Sequence, residues 1–376
     1  MIITILIFIA ILGLLVFVHE LGHFLVAKKS GMAVHEFGFG FPPRVVGIQK
    51  IDGKWKLFFG KSKEEGINKD TENTIYSINL IPLGGFVRIM GENNEHAEDG
   101  RSFINKPFWS RFFTLVAGVV MNWFLAGLLF SIILMVGFKV SGTAPLSVPA
   151  GAAISEPRVT IARVLQGSPA EKAGLKRNDV LLSLDGRTFE NASEARKYLL
   201  ENKGRTFDFE IERGSEDRHF QVESLQDPGE NQGPTGISID DLKDVRVSPV
   251  YALVGGYTQT FVFTKEIFSG LGKLFVSKQA LNDVGGPVKI GQLVGEVRHY
   301  GILPLTEFTA FLSLNLAVLN ILPFPALDGG RILFLIIEKV RGKKNNQKVE
   351  QFFNAAGFAL LLVLMVVVTI KDLVTG

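Results

Sequence analysis

Three stretches of the chain run long without a charge. Met1 to about Ala27 carries no charged residue before His19 and Glu20. Phe112 to Phe138 holds 27 uncharged residues between Arg111 and Lys139, and Phe352 to Ile370 is again uncharged. A bilayer core about 30 Å thick asks for roughly 20 apolar residues in a helix, so each stretch predicts a transmembrane span. A fourth apolar run, from about Glu307 to Val340, is interrupted by N-I-L-P-F-P-A-L-D-G-G between Asn320 and Gly330 and reads as a broken span.

Between the spans the period changes. From Ala33 to Glu92 short alternating runs (V-H-E-F-G-F-G-F, K-W-K-L-F-F, G-F-V-R-I-M) are punctuated by Pro42-Pro43, Asp52-Gly53 and Gly84-Gly85. These are hairpin strands, and their Phe, Trp and Ile content suggests a sheet pressed against the membrane face. From Ser155 to Leu225 the pattern is a soluble mixture: V-T-I-A-R-V-L, then G-S-P-A-E-K-A-G-L, a D-G turn, a helix-like A-S-E-A-R-K-Y-L-L and F-D-F-E-I-E-R. Val250 to Ala280 reads as an amphipathic helix at the outer interface. V-G-G-P-V-K-I at 284–290 is a turn whose role the residues do not reveal, and 142–157 is an Ala-, Pro- and Ser-rich linker.

The expected fold is therefore a polytopic α-helical membrane protein with four transmembrane helices, a membrane-associated β region and one soluble α+β module. The expected boundaries are 1–29 (first span), 30–106 (cytoplasmic β region), 107–139 (second span), 140–245 (soluble module with linker), 246–304 (interfacial segment), 305–340 (broken third span), 341–351 (cytoplasmic loop) and 352–376 (fourth span). With 376 residues and 47% hydrophobic composition the chain has room for a membrane domain and one soluble module. The absence of cysteine excludes disulfides and thiolate ligands and leaves His and carboxylate chemistry for any metal. A net charge of +3 is too small to argue for nucleic acid as a partner.

Charge placement says more. Lys28 to Lys106 holds twelve Lys or Arg, and the short 339–350 connection holds Lys339, Arg341, Lys343, Lys344 and Lys348. By the positive-inside rule both basic loops are cytoplasmic, and both chain ends and the soluble module lie outside. No Lys or Arg precedes the first apolar run and no small-residue cleavage site follows it, so it is expected to be a retained span, not a signal peptide.

Candidate chemistry sits at the end of that first span, in V-H-E-L-G-H-F-L from Val18 to Leu25. A helix turns about 100° per residue, which places His19 and His23 on one face, one turn apart, where two imidazoles can share a metal ion. Glu20 lies beside that face and can act as a general base. A carboxylate at the centre of a span costs about 2.5 to 3.5 kcal/mol, so a Glu at the membrane boundary without a task would sit better elsewhere. The alternative is a helix with two incidental histidines. A third ligand must be an intramembrane His or carboxylate. Asp328 is the candidate, because Pro323, Pro325 and the Gly329-Gly330 pair break the span around it, and irregular backbone at membrane depth is tolerated only where it lines a polar cavity. Asp328 paired simply with Arg331 is the competing reading. In the second span Gly118 and Asn122 share a face, either for helix packing or with Asn122 turned to a metal site. In the β region Gly85, Phe86, Val87, Arg88, Ile89 and Met90 form a strand able to pair its backbone with an unwound peptide, if the sheet is more than a structural one. His35, His96, His219 and His299 read as solvated or structural.

Taken together, H-E-L-G-H in a first span and N-I-L-P-F-P-A-L-D-G in a later one resemble the site-2 protease family of intramembrane zinc metalloproteases, most closely its RseP-type bacterial branch. G-F-V-R-I-M-G-E, the G-x-x-x-N spacing and V-G-G-P-V extend the resemblance over nearly the whole chain. The soluble module resembles a circularly permuted PDZ domain, and the chain has room for one where some members have two. The resemblance implies one zinc ion per chain held by His19, His23 and Asp328, with Glu20 as base. It also implies a role for Asn320 in holding the substrate backbone and for the strand at 85–90 in presenting it. The implied protein is a metalloendopeptidase of the bacterial inner membrane. Its expected partners are the lipid bilayer, a single-span substrate such as an anti-sigma factor or a signal-peptide remnant, and a chain end bound by the PDZ module. A catalytically silent scaffold that binds tails through that module is the rival reading.

Overall fold

The structure is a computed structural model and describes residues 2–61, 73–92, 98–141, 151–227, 233–274, 276 and 285–375. His96, Val284 and the linker residues 142–150 lie outside them. The chain divides into two compact units, Met1–Phe130 with Gly256–Gly376, and Ser131–Gly255.

The first unit begins with α1 (Ile2–Lys29), whose last turn carries Lys28 and Lys29. These cations complement the negative end of the helix dipole and end the apolar run. A sheet follows, made of β1 (Val34–Ile51), β2 (Lys54–Phe59) and β3 (Ile75–Ile89), in the order β2-β1-β3. Because β1 and β3 are long and bent, each contributes two arms. Residues 34–39 pair with 85–89 on one side and with 75–78 on the other, while 44–48 pair with 76–79 and 46–51 with β2. The arm 85–89 is thus an edge: β1 covers one side, and among the described residues no strand covers the other. The buried Glu36 accepts from Arg44 Nε (2.8 Å) and Nη2 (2.6 Å), a bidentate bond that ties the two arms of β1 together. Then comes α2 (Phe108–Val136). It approaches α1 closely because Gly22 has no side chain: a Cβ there would stand 2.4 Å from the Ala117 carbonyl oxygen.

The second unit contains β4 (Phe138–Ser141), β5 (Ala152–Ile154), β6 (Arg158–Val164), α3 (Pro169–Ala173), β7 (Val180–Leu184), α4 (Ala192–Glu201), β8 (Thr206–Arg213), β9 (Glu216–Glu223) and β10 (Ile237–Val247). The strand order is β4-β10-β6-β7-β8-β9, with β5 on β10. The G-S-P-A-E stretch starts α3: Ser168 Oγ accepts from Glu171 N (3.2 Å) and Glu171 Oε2 accepts from Gly167 N (2.6 Å). The core is the alternating inward set Val159, Ile161, Leu184, Phe207, Phe209, Ile211 and Ile239.

The chain then returns to the first unit through α5 (Pro249–Leu274), α6 (Pro287–Val297), α7 (Ile302–Ile321), α8 (Asp328–Arg341) and α9 (Gln347–Thr375). The helix expected near 250–280 is present as α5, and it packs on α2: Trp123 Nε1 donates to Thr264 Oγ1 (3.1 Å), and Phe263 lies against Phe130 and Phe311. Among the described residues, four helices are long and apolar enough to cross a membrane, Ile2–Lys29, Phe108–Val136, Ile302–Ile321 and Lys348–Val374. The expected broken span from 305 to 340 is corrected in its form. α7 alone is span-length, and the sequence after the break folds as a separate amphipathic helix, because Pro323 and Pro325 remove backbone donors where α7 would continue. The Gly-Gly-Pro turn before α6, mute in the sequence, also gains a role. Gly286 N and Lys289 N donate to Asp372 Oδ2 of α9 (2.8 and 3.1 Å), so a buried carboxylate caps this helix.

Candidate metal centre

His19 and His23 come from the second half of α1, one turn apart. Asp328 comes from the first turn of α8, after the loop that leaves α7. That loop is tight: a Cβ on Gly329 would lie 2.1 Å from the Leu322 carbonyl oxygen, so only glycine lets α8 start against the end of α7. The result is that one donor atom from each of His19, His23 and Asp328 lies within 4.8 Å of the others. The three edges of this triangle are His19 Nε2 to His23 Nε2 at 3.1 Å, His19 Nε2 to Asp328 Oδ2 at 3.0 Å and His23 Nε2 to Asp328 Oδ2 at 3.4 Å.

Those lengths test whether a metal fits. Tetrahedral zinc with ligand bonds of about 2.0 to 2.1 Å has ligand–ligand edges of roughly 3.3 Å. The tautomers agree. His23 Nδ1 lies 2.7 Å from the Thr114 carbonyl oxygen, which can only accept, so Nδ1 carries the proton and Nε2 presents a lone pair. Asp328 Oδ2 is buried and, among the described residues, accepts no well-formed hydrogen bond. Lone pairs converging at this range inside the protein repel unless a cation lies among them. The donor set of two imidazoles and one carboxylate suits zinc, and the residues present fit the ion.

The floor of the site is α2. A Cβ on Gly118 would stand 2.4 Å from His23 Nε2 and 2.7 Å from His19 Nε2, so the imidazoles rest on bare backbone. One turn further, Asn122 is fully buried, and neither its Oδ1 nor its Nδ2 has a hydrogen-bond partner among the described residues, while its carbonyl oxygen accepts from Ser313 Oγ (2.8 Å). Glu20 stands half-buried within the electrostatic reach of His19, His23 and Asp328. Its Oε2 accepts from Val87 N of the sheet edge (3.1 Å), which fixes the carboxylate between strand and histidines.

The structure also separates residues that the sequence grouped. Within 85–90, Met90 is spent: its side chain is fully buried, its N–H donates to Ala33 O (2.9 Å) and its carbonyl accepts from Phe103 N (2.8 Å). It offers no free edge to a peptide, and the edge comprises Gly85, Phe86, Val87, Arg88 and Ile89. Asn320 lies half-buried in the last turn of α7, and no hydrogen bond joins it to the His–Asp cluster. Arg331 pairs with Glu92 of the turn after β3, so Asp328 is not its partner. His219 faces Asp208 (3.4 Å) on the second unit, away from any histidine partner. Thr114 is the site residue that sequence reasoning missed, and Gly118 was singled out only for its spacing to Asn122. A backbone carbonyl leaves no mark in a sequence, whereas Gly118 was visible as a small residue in an uncharged span.

Comparison with known proteins places these observations in a wider set. A family model, peptidase family M50, matches residues 7–61 and 64–364. A relative from Fusobacterium nucleatum that carries a zinc-metalloprotease name is 34% identical over 382 residues, 98% of this chain and 98% of the relative. The regulator of sigma-W protease RasP of Bacillus subtilis is 29% identical over 450 residues, 98% of each chain. Among solved structures, the PDZ domain of an SdrC-like protein from Listeria innocua is 25% identical with a TM-score of 0.19, covering 22% of this chain and 92% of that one.

Proposed function

The chain belongs to peptidase family M50 and is a multi-span zinc metalloprotease, and from that premise we propose that its peptide-hydrolysing centre is built by His19, His23 and Asp328 as zinc ligands with Glu20 as general base. The observation that carries the reading is the buried triangle of two imidazole nitrogens and one carboxylate oxygen with edges of 3.0 to 3.4 Å. When bound there, zinc supplies a Lewis acid that polarises a carbonyl and brings the pKa of water down to about 7.

The protein side of the chemistry follows from the contacts. Glu20 takes the proton of the attacking water and returns it to the leaving amine, roles that need a carboxylate close to the metal cluster and not ligating it. Val87 N–H holds that carboxylate in place. The Thr114 carbonyl accepts from His23 Nδ1, which leaves the lone pair of the neutral ring on Nε2. Asp328 lowers the net charge of the centre relative to a third imidazole.

The substrate is a single-span membrane protein, cut within or beside its membrane segment after a first cleavage has removed most of its outer part. A relative named for regulation of sigma-W supports an anti-sigma-type substrate. A transmembrane helix must unwind before hydrolysis, and the edge of 85–89 that β1 leaves uncovered, where Glu20 holds the Val87 N–H, takes the unwound segment by strand addition, which needs no fixed side-chain sequence. In this reading Phe86, Arg88, Asn122 and Asn320 are the side chains that contact the segment. The basic loops support a site toward the cytoplasmic side of the bacterial inner membrane, with both termini and the PDZ module outside. The PDZ module binds a chain end.

The test is purification in detergent, metal analysis and incubation with single-span peptides. One zinc per chain is expected, with hydrolysis lost in Glu20→Gln and zinc lost in Asp328→Ala, both with helix content retained. Full hydrolysis by Glu20→Gln would refute the assignment of the base.

A further inference from the structure

The edge strand that faces the candidate centre is tied to it at two points, one on each helix that supplies a zinc ligand. The first tie is Val87 N–H to Glu20 of α1. The second is the ion pair of Glu92, in the turn that ends β3, with Arg331, one turn after Asp328 in α8. Both partners of this pair are largely shielded, with side chains 22% and 28% exposed. They line a polar cavity of about 30 Å³ together with Arg111, Glu338 and Glu350, where Arg111 in turn grips Glu338 at 2.7 Å. At this volume the cavity has room for a water or two, and charges so placed are screened less than surface pairs.

Neither end of the tie can drift on its own. Glu92 N donates to Ile89 O (3.4 Å), and Met90, two residues before it, is bonded through both backbone groups to Ala33 and Phe103. Arg331 N donates to Leu327 O (3.3 Å), within the same helical turn as Asp328. Val87 and Glu92 are five residues apart, so the strand is pinned at the centre and at its end. A strand fixed at two points along its length cannot slide past the metal ligands.

We propose that Glu92 and Arg331 set the cleavage register: they are positioning residues that fix which peptide bond of a strand-added substrate lies over His19, His23 and Asp328. This rests on the strand-addition reading above. A substrate strand repeats its hydrogen-bonding pattern every two residues, and a slip of one residue would turn its side chains to the opposite face. Loosening the tie therefore yields additional cuts displaced by two residues, whereas general loss of structure yields less cleavage at one place.

The experiment is mass spectrometry of the products of one single-span peptide, using full-length protein in detergent. Wild type, Glu92→Gln, Arg331→Lys and the exchanged pair Glu92→Arg with Arg331→Glu are compared, with bound zinc and thermal unfolding measured alongside. The expected result is a share of cuts two residues away that rises about tenfold in Glu92→Gln, the ratio that loss of a partly shielded ion pair gives to competing registers, with zinc still near one per chain. Arg331→Lys, which keeps the charge, gives a smaller rise, and the exchanged pair restores the single cut. An unchanged cut pattern in Glu92→Gln, or a fall in rate that only tracks loss of zinc or of fold, overturns the proposal. The same peptide carrying single backbone N-methyl groups separates this from failure of the strand-addition reading. If N-methylation at alternate residues leaves wild-type cleavage untouched, the strand-addition reading falls; if it blocks cleavage while Glu92→Gln still cuts at one bond, only the register proposal falls.

Discussion

Replacing Gly118 by alanine tests the candidate centre with one carbon atom. The new Cβ would lie 2.4 Å from His23 Nε2 and 2.7 Å from His19 Nε2. Ordinary contact begins near 3.5 Å, so the imidazoles must retreat by roughly 0.8 to 1.1 Å or α2 must shift by as much. Neither movement is small for this site. Metal–ligand distances hold to about 0.2 Å, and His23 is anchored at its other nitrogen to the Thr114 carbonyl, on the same helix as the intruding methyl. Overpacking of a single methyl costs about 1 to 3 kcal/mol of stability, which leaves most of a multi-helix fold standing. Zinc affinity is expected to fall by about 100-fold or more, since even outer-shell changes cost 10- to 100-fold. The assay is chelator-competition titration of zinc on detergent-purified protein, with far-ultraviolet circular dichroism and cleavage of a single-span peptide in parallel. A Gly118→Ala protein that binds zinc with wild-type affinity and cleaves at the wild-type rate would show that the imidazoles do not rest on α2, and the floor of the site as described would be wrong.

Two further expectations concern parts of the fold remote from the centre. Asp372→Ala removes the carboxylate that caps α6 at Gly286 and Lys289, and it should lower stability by about 1 kcal/mol, with Asp372→Asn much milder; equal chemical-denaturation midpoints for wild type and Asp372→Ala would refute the cap. In the second unit the Arg158 guanidinium beside Glu212 holds its carboxyl below the usual carboxylate range. A group with a lowered folded pKa adds stability above its unfolded pKa, near 4.3 for Glu, and that stability fades as pH falls through the folded value. The difference in unfolding temperature between wild type and Glu212→Gln should therefore narrow as pH is lowered from 7 to 3 and shrink in high salt, and a gap that widens toward acid would contradict the pair.

Much of the fold was legible because the signals are local. Uncharged runs at span length marked α1, α2 and α9, and the alternating V-H-E-F-G-F-G-F and G-F-V-R-I-M runs marked the arms of the sheet. The break at Pro323 and Pro325 was legible too, but its consequence was not. Nothing in the residues said whether the chain would resume as one kinked span or as a separate helix, because that depends on how closely Gly329 can pack against the carbonyls of Ile321 and Leu322. The strand at 85–90 was recognised one residue too long. Its alternation continues through Met90, whereas the two backbone bonds that take Met90 out of the edge come from Ala33 and Phe103, residues distant in sequence.

For the site itself, the sequence alone determined that His19 and His23 share a face with Glu20 beside it, since the helical period acts over four residues and needs no partner. It also marked Asp328, 305 residues after His23, as a carboxylate in broken backbone. Tertiary structure alone decided that these meet with edges near 3 Å, that Gly118 is the surface under them, and that Thr114 sets the tautomer. The same is true of Glu20 held by Val87, and of Arg331 paired with Glu92. Each of these depends on how closely helices pack and where a backbone carbonyl or amide points. Such groups are identical in every residue, so no pattern along the chain can record which of them will be near.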